Sequence, residues 1–184
     1  MNKVDRNTIT YSEGARRKLL VEAIQSKAAI RGHPIHPMLI HFPVALLLAA
    51  VASDAAWLLT GDFFWARAGL WLTGTGALGG WISGAAGVVD LVLVERIRRL
   101  VTPWCHGVLA VLVLSLASLN WLLRFLEAPD TYILPWGAFL SLLTAGMISI
   151  TSYLGGRLVY EYAIGVDIEA AAGKHGFKHD PVLR

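Results

Sequence analysis

Apolar residues dominate four long stretches of the chain, and short polar segments separate these stretches. Each stretch is close to or longer than the ~20 residues with which an α-helix crosses ~30 Å of hydrocarbon. The pattern therefore predicts membrane-spanning helices at about residues 38–60, 65–94, 103–123 and 133–154. Because consecutive spans alternate in direction, we expect an all-α integral membrane protein, an up-down-up-down bundle of four transmembrane helices.

Polar segments flank the four spans and divide the chain into three parts. We predict an N-terminal segment at residues 1–36, a transmembrane domain at 37–155 and a C-terminal tail at 156–184. Part of the first segment has apolar residues at helical spacing among basic ones, at Leu19, Leu20, Ala23 and Ile24. This spacing is typical of an amphipathic juxtamembrane helix on a lipid surface. A flexible basic tail is the alternative interpretation.

The basic residues are concentrated on one side of the predicted membrane. Seven Lys or Arg residues lie in the chain up to Pro37, three in the loop at 96–99 and four after Gly155, whereas the other two loops hold only Arg67 and Arg124. Such a bias places basic segments in the cytoplasm. We therefore expect a multi-pass protein of the bacterial inner membrane with both termini cytoplasmic. The bias also explains the net charge of +3 without nucleic acid as a partner.

Catalytic signatures of soluble enzymes are missing from the sequence. It contains no Gly-x-Ser-x-Gly elbow, no P-loop and no His-Glu-x-x-His motif. We therefore do not expect a stand-alone enzyme.

Ionisable residues in membrane spans are costly and usually functional, and here they cluster at the predicted cytoplasmic end. His41 begins the first span, Asp90 lies near the end of the second and His106 begins the third. His36 lies just before the first span. The alternating directions of the spans bring all four residues to the same end of the bundle.

Three interpretations of these histidines remain open. His41 and His106 could be the axial ligands of a b-type heme, since neutral imidazole is a good ligand for heme iron. Alternatively, His41, His106, Asp90 and His36 could bind a nonheme transition metal. In the third interpretation each histidine donates to a backbone carbonyl or to Asp90 and clamps two helices together, with no cofactor.

A stripe of small residues in the second span is compatible with both kinds of role. Gly76, Gly80 and Gly84 follow one another at intervals of four residues. Such a stripe usually allows two helices to pack closely. Gly80 and Gly84 could also accommodate the edge of a heme.

The segment from His33 to Pro43 reads His-Pro-x-His-Pro-x-x-x-His-Phe-Pro and resembles the opening of a bacterial family of predicted membrane proteins, DUF2231. The resemblance continues through Gly87–Asp90, His106 and Gly155–Tyr162. It implies four spans and a redox setting, because some members of the family are joined to Rieske-type or cytochrome domains.

The leading hypothesis is a small electron-transfer subunit that binds heme b through His41 and His106 near the cytoplasmic face. Its partners would be the lipid bilayer, other membrane or redox subunits and a quinone. A cofactor-free accessory or assembly subunit of a larger membrane complex is the second hypothesis. Metal binding or transport through the His and Asp cluster is the third.

Overall fold

The structure is a computed structural model that describes residues 24–126 and 128–166. The predicted amphipathic helix lies mostly outside these residues, and so does the C-terminal tail beyond residue 166. The elements are β1 (Ala29–Ile30), β2 (His33–Pro34), α1 (Ile35–Thr60), α2 (Phe63–Leu93), α3 (Glu95–Arg98), α4 (Val101–Leu126), an irregular helical turn (Ile133–Gly137) and α5 (Ala138–Tyr160).

Four helices are long and apolar enough to cross a membrane, namely α1, α2, α4 and the continuous stretch Ile133–Tyr160. The predicted all-α bundle is therefore confirmed. The first helix begins three residues earlier than the predicted span, at Ile35, and α4 continues three residues further, to Leu126. The earlier start places His36 inside α1, and the later end places Arg124 inside α4.

Local signals end α1 and begin α2 within two residues. Gly61 adopts a left-handed conformation with φ 67°, which glycine tolerates without strain, and its N–H donates to Trp57. The Asp62 carboxylate then accepts a hydrogen bond from the Phe64 N–H at 2.9 Å and caps α2. This short connection makes α1 and α2 antiparallel neighbours.

The four long helices form a closed ring in which α1 packs against α2 and α5, and α4 also packs against α2 and α5. Residues early in α1 meet residues late in α2, as in the His36–Ser83 contact, whereas Ser53 near the end of α1 meets Trp65. We call the end of the bundle that holds His36 and Ser83 the histidine end, and the opposite one the ion-pair end. Helix directions alternate, as predicted.

Unlike a soluble protein, the bundle exposes large apolar side chains on its surface and buries many of its polar side chains. Large apolar side chains point outward, and Phe42, Ile82 and Phe125 are each more than 60% exposed. A small apolar cluster fills the centre, formed by Leu47, Ala77, Val113, Ala117 and Ile148. Polar side chains are buried beyond it at both ends. An apolar exterior around a partly polar interior is the arrangement that lipid requires.

Glycines of α2 receive large side chains from the neighbouring helices. A Cβ atom at Gly76 would lie 2.8 Å from Cγ of Leu47 in α1. Leu114 of α4 occupies the corresponding space at Gly80 and also contacts the Gly84 position. The small-residue stripe therefore allows close helix packing.

A fully buried ion pair joins α1 to α4 at the ion-pair end. Both terminal nitrogens of Arg124 donate to the Asp54 carboxylate, and both distances are 2.7 Å. The side chains are 0% and 3% exposed. Arg67 and Arg124 were both expected in loops, and both expectations are wrong, because Arg67 lies in α2 and Arg124 in α4.

Two further hydrogen bonds hold the guanidinium group of Arg124. Arg124 Nε donates to Asn120 Oδ1 at 2.9 Å, and Nη2 donates to the Ser141 hydroxyl at 3.2 Å. Gly69 leaves space for the pair, because a Cβ atom there would lie 2.8 Å from Arg124 Nη1. The network thus joins α1, α4 and α5 at one level, and Gly69 of α2 lies against it.

We predict that Arg124→Met lowers the free energy of unfolding by about 3–5 kcal/mol, because it leaves the Asp54 carboxylate buried without a partner. The double variant Asp54→Leu/Arg124→Met should recover most of this loss, since neither charge is then buried. Thermal unfolding of the detergent-purified protein measures both. Arg67→Met is the matched control, because Arg67 is exposed in α2. Equal stability of the Arg124 and Arg67 variants would contradict the prediction.

Candidate histidine site

His36 connects α1 to α2 at the histidine end. It is the second residue of α1, and its Nδ1 lies 2.9 Å from the Ser83 carbonyl oxygen. The Ser83 hydroxyl lies 3.2 Å from the same nitrogen and donates to the His36 carbonyl at 3.3 Å. Ser83 is completely buried, so these contacts fix the ring against α2.

His106 makes the equivalent connection between α4 and α5. It lies in the second turn of α4, and its Nδ1 is 3.0 Å from the Thr151 carbonyl oxygen. Its ring is half-buried, like that of His36. Each histidine therefore joins a different pair of helices.

The hydrogen bonds determine which nitrogen of each ring carries the proton. A carbonyl oxygen only accepts, so Nδ1 of both His36 and His106 must be the donor. In the neutral imidazole Nε2 is then unprotonated, and its lone pair is available to a metal or a proton. Backbone partners of this kind orient the ligating histidines of many metal sites.

The two rings lie next to each other. Their centroids are 6.2 Å apart and their planes make an angle of 86°. Glycines on the flanking helices leave space for them: a Cβ atom at Gly87 would lie 3.3 Å from His36 Nδ1, and one at Gly155 would lie 3.2 Å from His106 Cε1. The sequence had placed both glycines in the family motif without assigning them this role.

The structure places His36, rather than His41, beside His106. His41 is exposed on α1 and makes no hydrogen bond to the described part of the chain. Residues five positions apart lie roughly 140° apart around a helix, so His36 and His41 cannot both face the interior. The expected pair of His41 and His106 is therefore replaced by His36 and His106, because the rotation of α1 about its axis turns His36 toward His106.

Asp90 contacts the segment that precedes α1. Its carboxylate accepts hydrogen bonds from the N–H groups of Lys27 and Ala28, at 2.6 and 2.9 Å, and from the Ser26 hydroxyl at 2.6 Å. Within residues 24–126 and 128–166, Asp90 forms no ion pair; two backbone N–H groups donate to Oδ1 and the Ser26 hydroxyl donates to Oδ2.

The described residues do not bring the expected metal ligands into one group. Across residues 24–126 and 128–166, no three His, Cys, Asp or Glu side chains lie close enough to hold a metal ion. Leu114 occupies the space beside Gly80 and Gly84, where a heme edge was considered. The candidate site therefore consists of the two imidazoles of His36 and His106, with Ser83 and Thr151 as their backbone partners.

Adjacent glycines of α5 provide a test of the space around His106. We predict that Gly156→Ala stabilises the protein by about 0.5–1 kcal/mol, as alanine does in a helix, because nothing lies within 4 Å of its Cβ position. Gly155→Ala should not stabilise, because its methyl group would press on the His106 ring. Thermal unfolding of both variants in detergent measures the difference. An equal gain for both would show that the ring is not confined there.

The comparisons with known proteins identify a family. The model of DUF2231, described as a predicted membrane protein, matches residues 32–168. No curated protein matches the chain, and no solved structure matches it. The matched region contains both histidines of the site, the four long helices and the two glycines beside the rings. The chain therefore belongs to the DUF2231 family of predicted membrane proteins.

Proposed function

We propose that the protein is a membrane electron-transfer subunit in which His36 and His106 hold the iron of a b-type heme. The observation that carries the proposal is the adjacency of two imidazoles, each with Nδ1 bound to a backbone carbonyl and with no hydrogen bond at Nε2 among the residues that the structure describes. His36 replaces His41 in the expected ligand pair because His41 is exposed on another face of α1.

The donor set fits a heme iron. Two neutral imidazoles are the donor set that the iron of a b-type heme takes. His36 and His106, whose ring centroids are 6.2 Å apart, would be the residues that hold the iron through Nε2. The two glycines, Gly87 and Gly155, keep the flanking helices clear of the rings.

The distribution of charge supports a cytoplasmic position for this site. The segments that adjoin the histidine end in the chain contain 14 of the 16 Lys and Arg residues. We therefore propose a bacterial inner-membrane protein whose histidine end faces the cytoplasm. There the site would be within reach of a quinone or of another redox subunit.

The residues of the chain have defined tasks in this proposal. A bound b-type heme would supply a centre that gains and loses one electron. Ser83 and Thr151 orient the two imidazoles through their carbonyl oxygens and keep Nδ1 protonated. Backbone acceptors also increase the basicity of the ligating nitrogens, which tunes the metal that they hold. The apolar centre of the bundle excludes water on the other side of the pair.

The test is an absorbance spectrum of the detergent-purified protein from heme-replete cells, reduced minus oxidised, with heme quantified per chain. We expect a sharp α-band and about one heme per chain. His36→Ala and His106→Ala should each abolish the band. His41→Ala should retain it, which makes it the matched control on the same helix.

Addition of imidazole distinguishes ligation from folding. His106→Gly should regain part of the α-band when imidazole is supplied, because the free ligand can replace the lost ring. A flat spectrum of the unaltered protein would contradict the proposal. A band that disappears only in His41→Ala would also contradict the choice of His36.

A cofactor-free accessory subunit is the second candidate, and the hydrogen bonds of the histidines favour it. His36 and His106 each join two helices through Nδ1. Such clamps are worth about 1–2 kcal/mol between helices in lipid. In that case the alanine variants lose thermal stability and yield of the larger complex, while the unaltered protein has no heme spectrum to lose.

A further inference from the structure

Residues 24–34 form a strap at the histidine end, and a single carboxylate holds its middle. Asp90 near the end of α2 accepts three hydrogen bonds from consecutive strap residues, Ser26, Lys27 and Ala28. Both carboxylate oxygens take part, and the Asp90 residue is only 9% exposed. The charge of Asp90 is thus compensated by the dipoles of the strap.

The chain that follows α5 holds the start of the strap. Ile24 donates to the Ala163 carbonyl at 3.2 Å and accepts from the Gly165 N–H at 2.8 Å. A Cβ atom at Gly165 would lie 2.8 Å from Pro34 Cγ, so this glycine also lies against the end of the strap. The strap therefore links the segment after α5 to the start of α1.

A tight hairpin gives the strap its shape. Ala29 pairs with Pro34 and Ile30 pairs with His33 in an antiparallel ladder. The two turn residues, Arg31 and Gly32, both have positive φ angles of 51° and 83°. Positive φ at both central positions is typical of the two-residue turns that match strand twist. The hairpin then continues directly into α1.

The strap and the histidine pair share one region of the bundle. His36 is the second residue after the strap, and its ring contacts the Gly87 position of α2. Gly87 and Asp90 are three residues apart, so they lie on the same face of α2. The carboxylate that holds the strap is therefore about one helical turn from the ring that would bind the ligand.

Few apolar contacts hold the strap in place. Ile24 is its only buried residue, and Arg31, Gly32 and His33 at the hairpin are exposed. Segments with few buried apolar contacts and exposed hydrogen bonds open at low free energy while the rest of a protein stays folded. The three bonds to Asp90 are thus the main connection between the strap and α2.

We propose that the strap is a closure over the His36–His106 pair, and that Asp90 keeps it shut. Release of Ser26, Lys27 and Ala28 from the carboxylate would open the pair to ligands from the aqueous phase. The closure rests on the proposed function for its biological purpose, since it would control access to the same two imidazoles. Access itself is measurable without any bound cofactor.

The experiment follows the acylation of His36 and His106 by diethyl pyrocarbonate, which reacts with neutral imidazole. The full-length, cofactor-free protein is labelled in detergent and the rate at each histidine is read by peptide mass spectrometry. We expect Asp90→Ala to raise both rates by about tenfold, because the protection given by a locally closed segment is lost. The rate at His41, which is exposed on α1, should stay the same.

Asp62→Ala is the matched control, because Asp62 also accepts a backbone hydrogen bond but caps α2 at the opposite end. It should leave both rates unchanged. Ser26→Ala removes one of the three bonds and should give an intermediate increase. It decides the result if Asp90→Ala does not yield a monodisperse protein.

Unchanged rates in Asp90→Ala and Ser26→Ala would overturn the closure, as would an equal increase in Asp62→Ala. The heme spectrum of the unaltered protein is measured separately. Absence of heme together with strap-dependent labelling would leave the closure standing and remove the electron-transfer role. Heme binding together with labelling rates that do not depend on the strap would support the electron-transfer role and remove the closure.

Discussion

A polar group without a partner is expensive in hydrocarbon, and this constraint accounts for the arrangement of the buried polar side chains of the bundle. Among the described residues, Thr144 Oγ1 is the one buried side-chain atom that has no partner. The two charges at the ion-pair end neutralise each other, and the two histidines use backbone carbonyls. Hydroxyl groups along the helices follow the same rule: Thr73 and Thr151 each donate to the carbonyl four residues earlier. The exterior can then be almost entirely apolar.

The two polar ends of the bundle differ in how many of their side-chain nitrogen atoms have a hydrogen-bond partner. At the ion-pair end, every nitrogen of the Arg124 guanidinium has an acceptor among Asp54, Asn120 and Ser141. At the histidine end, each ring uses Nδ1 for the fold, and Nε2 makes no hydrogen bond within residues 24–126 and 128–166. The proposed ligand site therefore lies at the histidine end, whereas the ion-pair end holds the helices together.

Hydropathy and topology were sufficient to predict the architecture. Four apolar stretches of the right length gave the four spans, and their alternating directions put His36, Asp90 and His106 at the same end. These properties depend on the sum over many residues, so an error at a single residue does not change them. The prediction that several ionisable groups meet there needed only the order of the spans.

The individual partners were not predictable in the same way. The choice between His36 and His41 depends on how α1 is rotated about its own axis. The structure gives this rotation for a helix that starts at Ile35 rather than at residue 38. Arg124 was assigned to a loop because a charged residue normally marks the end of an apolar window. Its partner Asp54 is 70 positions away in the chain, so no local pattern could reveal the pair.

The buried ion pair also has an electrical consequence. Moving one elementary charge across a membrane potential changes its energy by about 2.3 kcal/mol per 100 mV. Because Asp54 and Arg124 carry opposite charges and their atoms are 2.7 Å apart, the forces that the potential exerts on them nearly cancel. An energised membrane therefore exerts almost no net force on this ion pair, although each of its charges is buried in the bundle.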